Sequence, residues 1–154
     1  MRSLLIAGVL AACLALPAAA RDYTLGELVI SQPWVRATAA AGGTGGGYLV
    51  VRNRGSLPDR LVRVESPAAA SIELHGTRME GSVMQMHPVE GVAVPAGGEA
   101  RLAPGGLHIM FLNTTRRFVQ GEHVAARLVF ERAGAIEVEF AVEAPGARGP
   151  GHGH

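Results

Sequence analysis

The chain has 154 residues, with 14 basic and 13 acidic side chains, and 48% of its residues are hydrophobic. This length suits one ordinary domain with a single core. The nearly balanced charge argues against nucleic acid or an anionic membrane surface as a partner. The single cysteine, Cys13, lies in the N-terminal segment, so the rest of the chain can supply neither a disulfide nor a thiolate ligand.

The N-terminal segment has the pattern of a secretory signal peptide. Arg2 precedes an uncharged apolar run from Leu4 to Leu16, and the small residues Ala18-Ala19-Ala20 follow. The apolar run is too short to span a membrane, which takes about 20 residues. We therefore predict a cleaved signal peptide over residues 1–20, export, and no membrane insertion after cleavage. The alternative is a lipoprotein box that ends at Cys13 and leaves a lipid anchor there.

The rest of the chain is typical of an all-β protein, because no segment has an apolar stripe at helical spacing. Alternating or β-branched segments bounded by Gly and Pro predict short strands, at Gly26–Ser31, Tyr48–Arg52, Leu61–Glu65, Ser71–His75, Leu128–Glu131 and Ile136–Val142. The glycine-rich run Gly42–Gly47 lacks the residues of a phosphate-binding loop and is interpreted as a flexible connection. We predict one antiparallel β-sandwich or barrel over residues 21–143, followed by a disordered Gly/Pro/His tail over 144–154.

Methionine and histidine are the informative residue types. Met79, Met84 and Met86 lie within eight positions of one another, and Met110 lies two residues after His108. The apolar run around His108 follows two glycines and is predicted to be a strand. Since side chains at i and i+2 of a strand point the same way, His108 and Met110 should share one face.

A second pair of ligands follows from a predicted hairpin. If the chain turns at Glu80-Gly81, His75 lies opposite Met86 and Thr77 lies opposite Met84. Bringing this hairpin beside the later strand would form a four-ligand site, composed of His75, Met86, His108 and Met110. Thioethers are soft and neutral and favour Cu(I), whereas zinc sites use Cys, His and carboxylates.

Other residues of the same types are assigned lesser roles. The predicted register places Met84 at the rim of the site, either as a transit ligand or as packing. Met79 is expected in the loop. His87 faces away from the site and His123 lies in a turn. Trp34 is expected in the core, and the alternative is that it shields the site.

The spacing His75-x10-Met86-x21-His108-x-Met110 resembles the metal motif of the periplasmic copper chaperones called PCu(A)C. The resemblance extends over roughly residues 26–142 and includes Trp34-Val35-Arg36, Pro95–Gly98 and Pro104–Met110. It implies a cupredoxin-like β-sandwich in the periplasm that binds Cu(I) through those four residues. It also implies delivery of copper to a cytochrome c oxidase copper subunit, at a CuA centre or a cbb3-type enzyme, and allows a second copper chaperone as a partner.

The sequence departs from the family pattern in two places. Gly76 follows the first histidine, where some members carry a methionine that could serve as a spare ligand. Some members also have His- and Met-rich tails that bind Cu(II). The tail here has only His152 and His154, so the sequence leaves Cu(II) binding by the tail open.

Other classes of protein fit the sequence less well. A blue-copper electron carrier needs a cysteine ligand, which the exported chain lacks. We find no Ser/His/Asp arrangement and no paired carboxylates in an apolar context, so we expect no enzymatic activity. A structural β-module would bind no Cu(I), and a copper storage or resistance protein would share the site but not the partner. For a chaperone we expect a shallow, partly exposed site near one edge of the sandwich.

Overall fold

The computed structural model describes residues 21–151, which form eleven β-strands and no helix. The strands are β1 Asp22–Leu25, β2 Leu28–Arg36, β3 Gly45–Asn53, β4 Asp59–Glu65, β5 Ala69–Glu80, β6 Val83–Pro88, β7 Val92–Val94, β8 Glu99–Leu102, β9 His108–Thr114, β10 His123–Phe130 and β11 Gly134–Glu143. Within this range, no helical segment could cross a membrane. The predictions for the signal peptide, for a lipid anchor at Cys13 and for His152 and His154 concern residues outside this range.

The strands form one hydrogen-bonded sheet in the order β6-β5-β9-β3-β2-β11-β10-β4-β7, with β1 added to β2 and β8 added to β3. The all-β prediction is confirmed. Most neighbours pair antiparallel, as predicted, but β2 and β11 run parallel, with Trp34 beside Ala141. Of the predicted tail, residues 144–151 are described, and the Ala147 carbonyl accepts a hydrogen bond from Arg36 Nε at 3.0 Å.

Within the strands, buried and exposed residues alternate, and the core is built from the inward-facing ones. It is centred on aromatic rings. Phe111 of β9 is fully buried and meets Phe118 and Phe140 edge-on, with ring centroids 5.8 and 5.6 Å apart. Such edge-to-face pairs stabilise a core beyond their buried area. Trp34 is buried against Tyr48, as expected for a packing residue. Burial raises the pKa of the Tyr48 hydroxyl, against the opposing effect of the Arg36 guanidinium.

The glycine run at the start of β3 is a packed strand from Gly45 onward, so the prediction of a flexible connection there was wrong. A Cβ atom on Gly47 would lie 2.9 Å from Phe111 Cε2, and one on Gly45 would lie 3.1 Å from Phe118 Cε2. The glycines are needed because aromatic rings occupy the space that side chains would fill. They also allow β3 to pair closely with β9, where Gly46 lies beside Met110.

Replacing Gly47 by alanine should therefore destabilise the protein. The added methyl group forces Phe111 to move within a closely packed core, which costs about 1–3 kcal/mol. Urea denaturation followed by circular dichroism measures this loss. Gly146→Ala is the matched control, because a Cβ at Gly146 meets no atom within 4 Å. Equal stability of the two variants would contradict the prediction.

A hairpin extends beyond the start of β9 at one end of the sheet. Strand β9 pairs with β5 only as far as His75, and the rest of β5 pairs with β6. We call residues 76–88 the hairpin arm. Its two-residue turn is Gly81-Ser82, with Gly81 at φ 65°, as in a type II′ turn. Thr77 Oγ1 donates a hydrogen bond to the Gly105 carbonyl at 2.8 Å and ties the base of the arm to the turn before β9.

Candidate metal site

Two imidazoles meet at the base of the hairpin arm. His75 of β5 lies directly opposite His108 of β9, and their ring centroids are 5.7 Å apart. His108 is 6% exposed, and the His75 side chain is 16% exposed. Both rings lie on the face opposite the core, since their strand neighbours Leu74 and Ile109 point inward and are buried.

The protonated nitrogen of His108 is set by the turn before it. His108 Nδ1 lies 2.8 Å from the Gly106 carbonyl oxygen, which can only accept a hydrogen bond. Nδ1 therefore carries the proton, and Nε2 of the neutral ring keeps a lone pair. Nε2 is buried and has no hydrogen-bond partner within residues 21–151.

The His75 ring is set in the same way by a carboxylate. Glu73 Oε2 lies 2.6 Å from His75 Nε2 and accepts its proton in a hydrogen bond. The other ring nitrogen, Nδ1, is buried and unpartnered in the described part of the chain. Buried polar atoms without partners are rare and need an explanation. Two such lone pairs on adjacent rings fit a bound metal ion, and the Glu73 and Gly106 contacts are those that orient histidine ligands.

Met110 lies on the same face as His108, as predicted. It pairs with Glu73 across the β5–β9 ladder, which makes it the diagonal neighbour of His75. Diagonal neighbours are within reach of long side chains. The register therefore places the Met110 thioether within reach of the two imidazoles.

The predicted pairing of His75 with Met86 is wrong. Met86 pairs with Thr77, and His75 pairs with Pro88, because the turn is Gly81-Ser82 and not Glu80-Gly81. The change in register is two residues, so Met86 keeps the predicted face. It lies opposite Thr77, two residues beyond His75 toward the tip of the arm, which is a distance of about 7 Å along the strand. Its side chain is 62% exposed.

The remaining candidates are placed as follows. Met79 lies in strand β5, not in a loop, and its partner is Met84, which had been predicted opposite Thr77. His87 lies on the other face of the arm from Met86, as predicted, beside Gly76. His123 is exposed and begins β10.

The donor set favours a soft cation. Across residues 21–151, no group of three or more His, Cys, Asp or Glu side chains could hold a metal ion. Two neutral imidazoles beside a thioether suit Cu(I) better than zinc. Neither Glu73 nor Gly106 was predicted from the sequence. The first could have been found, since Glu73 precedes His75 by two in a predicted strand, but the Gly106 carbonyl leaves no signal in side-chain chemistry.

Comparisons with known proteins cover most of this β-fold. A family model described as "Putative lipoprotein LpqE-like" matches residues 28–142. A protein of Leifsonia xyli subsp. xyli, named "Putative lipoprotein Lxx21020", is 31% identical over 115 residues, which are 74% of this chain and 68% of that protein. The apo PCuAC domain from PmoF1 is 30% identical with a TM-score of 0.70, over 81% of this chain and 100% of that domain.

The copper-bound PCuAC domain from PmoF2 is 28% identical with a TM-score of 0.70, over 81% of this chain and 99% of that domain. The matches confirm the predicted cupredoxin-like fold class. They also agree with the family that the spacing of histidines and methionines indicated. This chain belongs to the LpqE-like family of PCu(A)C-type proteins.

Proposed function

We propose that this protein binds one Cu(I) ion at the His75–His108 pair and hands it to a copper-containing acceptor, without catalysing a reaction. The observation that carries the proposal is the pair of buried ring nitrogens, His75 Nδ1 and His108 Nε2, which have no hydrogen-bond partner in residues 21–151. The likeness to a copper-bound PCuAC domain supports it.

The four proposed ligands are His75, His108, Met110 and Met86. The first three are neighbours on one face of the β5–β9 ladder. Met86 would complete the set from the exposed hairpin arm, because its long, unbranched thioether side chain can reach toward His75 and His108. All four ligands are neutral, so the bound site carries only the charge of Cu(I), and nearby Glu73 offsets it.

Transfer would proceed by exchange of ligands at an exposed edge. The site lies on the outer face of the sheet near its β6 end, so an acceptor can approach it from solvent. An acceptor thiolate binds Cu(I) more strongly than a thioether does and would replace the ligands one at a time. No nucleotide is needed, because the acceptor supplies the driving force.

The acceptor class comes from the family resemblance. We propose the copper subunit of a cytochrome c oxidase, at a CuA centre or in a cbb3-type enzyme, with a second copper chaperone as a further partner. The signal-peptide pattern of residues 1–20 and the lipoprotein names of the relatives support an exported protein, and we propose the periplasm as its location. Copper storage would use the same ligands but would not release the ion.

Competitive titration with a chromophoric Cu(I) chelator tests the ligand set. The protein should bind one equivalent, and Met86→Ala and Met110→Ala should each weaken binding about tenfold or more, because each removes a soft donor. Val83→Ala is the control, since Val83 is exposed on the same arm but pairs with Glu80 on its other face. Stoichiometric binding that neither methionine substitution changes would refute this ligand set, and the absence of stoichiometric Cu(I) binding by the unmodified protein would favour a structural β-module.

Replacing Glu73 by alanine should weaken Cu(I) binding about 10- to 100-fold, the usual effect of losing a residue that orients a histidine ligand. The same titration measures the change. Glu99→Ala is the control, because Glu99 of β8 pairs with Arg52 of β3 and with Arg101 of its own strand, and none of the three lies on β5 or β9. If both variants bind Cu(I) like the unmodified protein, Glu73 does not support the site.

Delivery is separated from storage by mixing the Cu(I)-loaded protein with an apo CuA domain. Copper in the CuA domain after separation of the two proteins supports delivery. Copper that stays on this chain, under conditions in which free Cu(I) loads the CuA domain, refutes delivery and leaves storage.

A further inference from the structure

The hairpin arm carries a second group of thioethers that the proposed copper site does not use. Met79 and Met84 lie directly opposite each other near the tip of the arm, and each is 59% exposed. Directly opposed side chains have Cβ atoms about 5 Å apart. The next pair toward the base on this face is Thr77 with Met86, and the one after it is His75 with Pro88.

The two faces of the arm differ in chemistry. Arg78, Glu80 and Gln85 lie on the face opposite the methionines, and Arg78 pairs with Glu80 at 2.8 Å. The methionine face has no charged residue between the arm's tip and His75. Three exposed, flexible thioethers are thus aligned on a neutral surface that leads to the two imidazoles. Their exposure means that core packing does not account for them.

We infer that Met79, Met84 and Met86 form an outer Cu(I) position, through which the ion enters and leaves the His75–His108 site. This inference rests on the proposed function. Met86 lies between the two positions, so it can bind the ion in both. The ion moves inward when His75 and His108 replace the two tip thioethers, and it moves outward by the reverse exchange. Only Cu–S and Cu–N bonds form and break, and no electron or proton is transferred.

The outer position is the weaker one. It offers thioethers alone, is open to solvent and lacks the oriented imidazoles of the inner site. In the isolated protein the ion should therefore occupy the inner position. The outer position should fill only with a second equivalent of metal, or briefly during transfer.

The test is NMR of the protein labelled at the methionine methyl carbons, titrated with Ag(I), a soft monovalent probe that does not redox-cycle. The first equivalent should shift the methyl signals of Met86 and Met110, and the second should shift those of Met79 and Met84. In His75→Ala/His108→Ala, the first equivalent should instead shift Met79, Met84 and Met86. Silent Met79 and Met84 signals through two equivalents, with normal filling of the inner site, would overturn the inference and leave a plain apolar surface.

A second variant avoids any change at the buried histidines. Met79→Leu/Met84→Leu keeps side-chain size on an exposed face and removes both sulfur atoms at the tip. We expect it to lose the second Ag(I) equivalent and to pass Cu(I) to a chelator several-fold more slowly, whereas Val83→Leu should behave like the unmodified protein. If this variant still binds a second Ag(I) equivalent and transfers Cu(I) at an unchanged rate, the inference is contradicted. A different result would count against the proposed function itself. If, in the unmodified protein, the first Ag(I) equivalent shifts the methyl signals of Met79 and Met84 but not that of Met110, the inner site and the proposed function fail.

Discussion

Replacing His108 by alanine should abolish stoichiometric Cu(I) binding, with an affinity loss of more than about 100-fold. The substitution removes a buried imidazole whose Nε2 lone pair has no other partner in residues 21–151. Losing a ligand should cost more than losing a residue that only orients one, which costs about 10- to 100-fold. Competition with a chromophoric Cu(I) chelator measures the affinity.

Two further variants make this result interpretable. His123→Ala is the control, because His123 is exposed at the start of β10, and it should bind Cu(I) like the unmodified protein. His75→Ala removes the other, less buried imidazole and should weaken binding by a similar factor. Because this substitution disturbs the fold less, a similar loss in both variants shows that misfolding of His108→Ala is not the cause. Circular dichroism checks the fold of each variant. Stoichiometric binding by well-folded forms of both His75→Ala and His108→Ala would exclude the site.

Replacing Phe111 by alanine should lower the free energy of unfolding by about 3–5 kcal/mol, the usual cost of truncating a buried aromatic side chain. Phe111 is fully buried between Phe118 and Phe140, and its neighbours cannot fill the cavity without moving other core residues. Urea denaturation measures the loss. The exposed Leu57, changed to alanine, is the control and should alter stability by no more than about 0.5 kcal/mol. Similar stability of the two variants would show that the ring cluster is not the centre of the core.

What the sequence predicts well is local. Alternation along β9 correctly separates His108 and Met110 from the buried Ile109 and Phe111, because a strand repeats every two residues whatever it pairs with. The contact between His75 and His108 is not local. It depends on β5 pairing with β9 across the three intervening strands, and nothing in either segment alone specifies that partner.

Turns and glycines limit prediction in different ways. Moving the arm's turn by one residue, to Gly81-Ser82, changes every cross-strand partner by two, which is why the face of Met86 was right and its partner was wrong. The glycines from Gly45 to Gly47 have the composition of a flexible loop. Rings from distant parts of the chain, Phe111 in β9 and Phe118 in the connection after it, pack against them and make them part of a strand instead.

The parallel pairing of β2 with β11 has a consequence for how the chain folds. It joins Trp34 to Ala141, so an inner contact of the sheet forms only after nearly the whole domain has emerged. Chains dominated by such long-range pairings close large loops before gaining contacts, and they fold on the order of milliseconds to seconds. The β5–β9 pairing that carries His75 and His108 includes neither β2 nor β11, so the two imidazoles can come together before this last pairing completes the sheet.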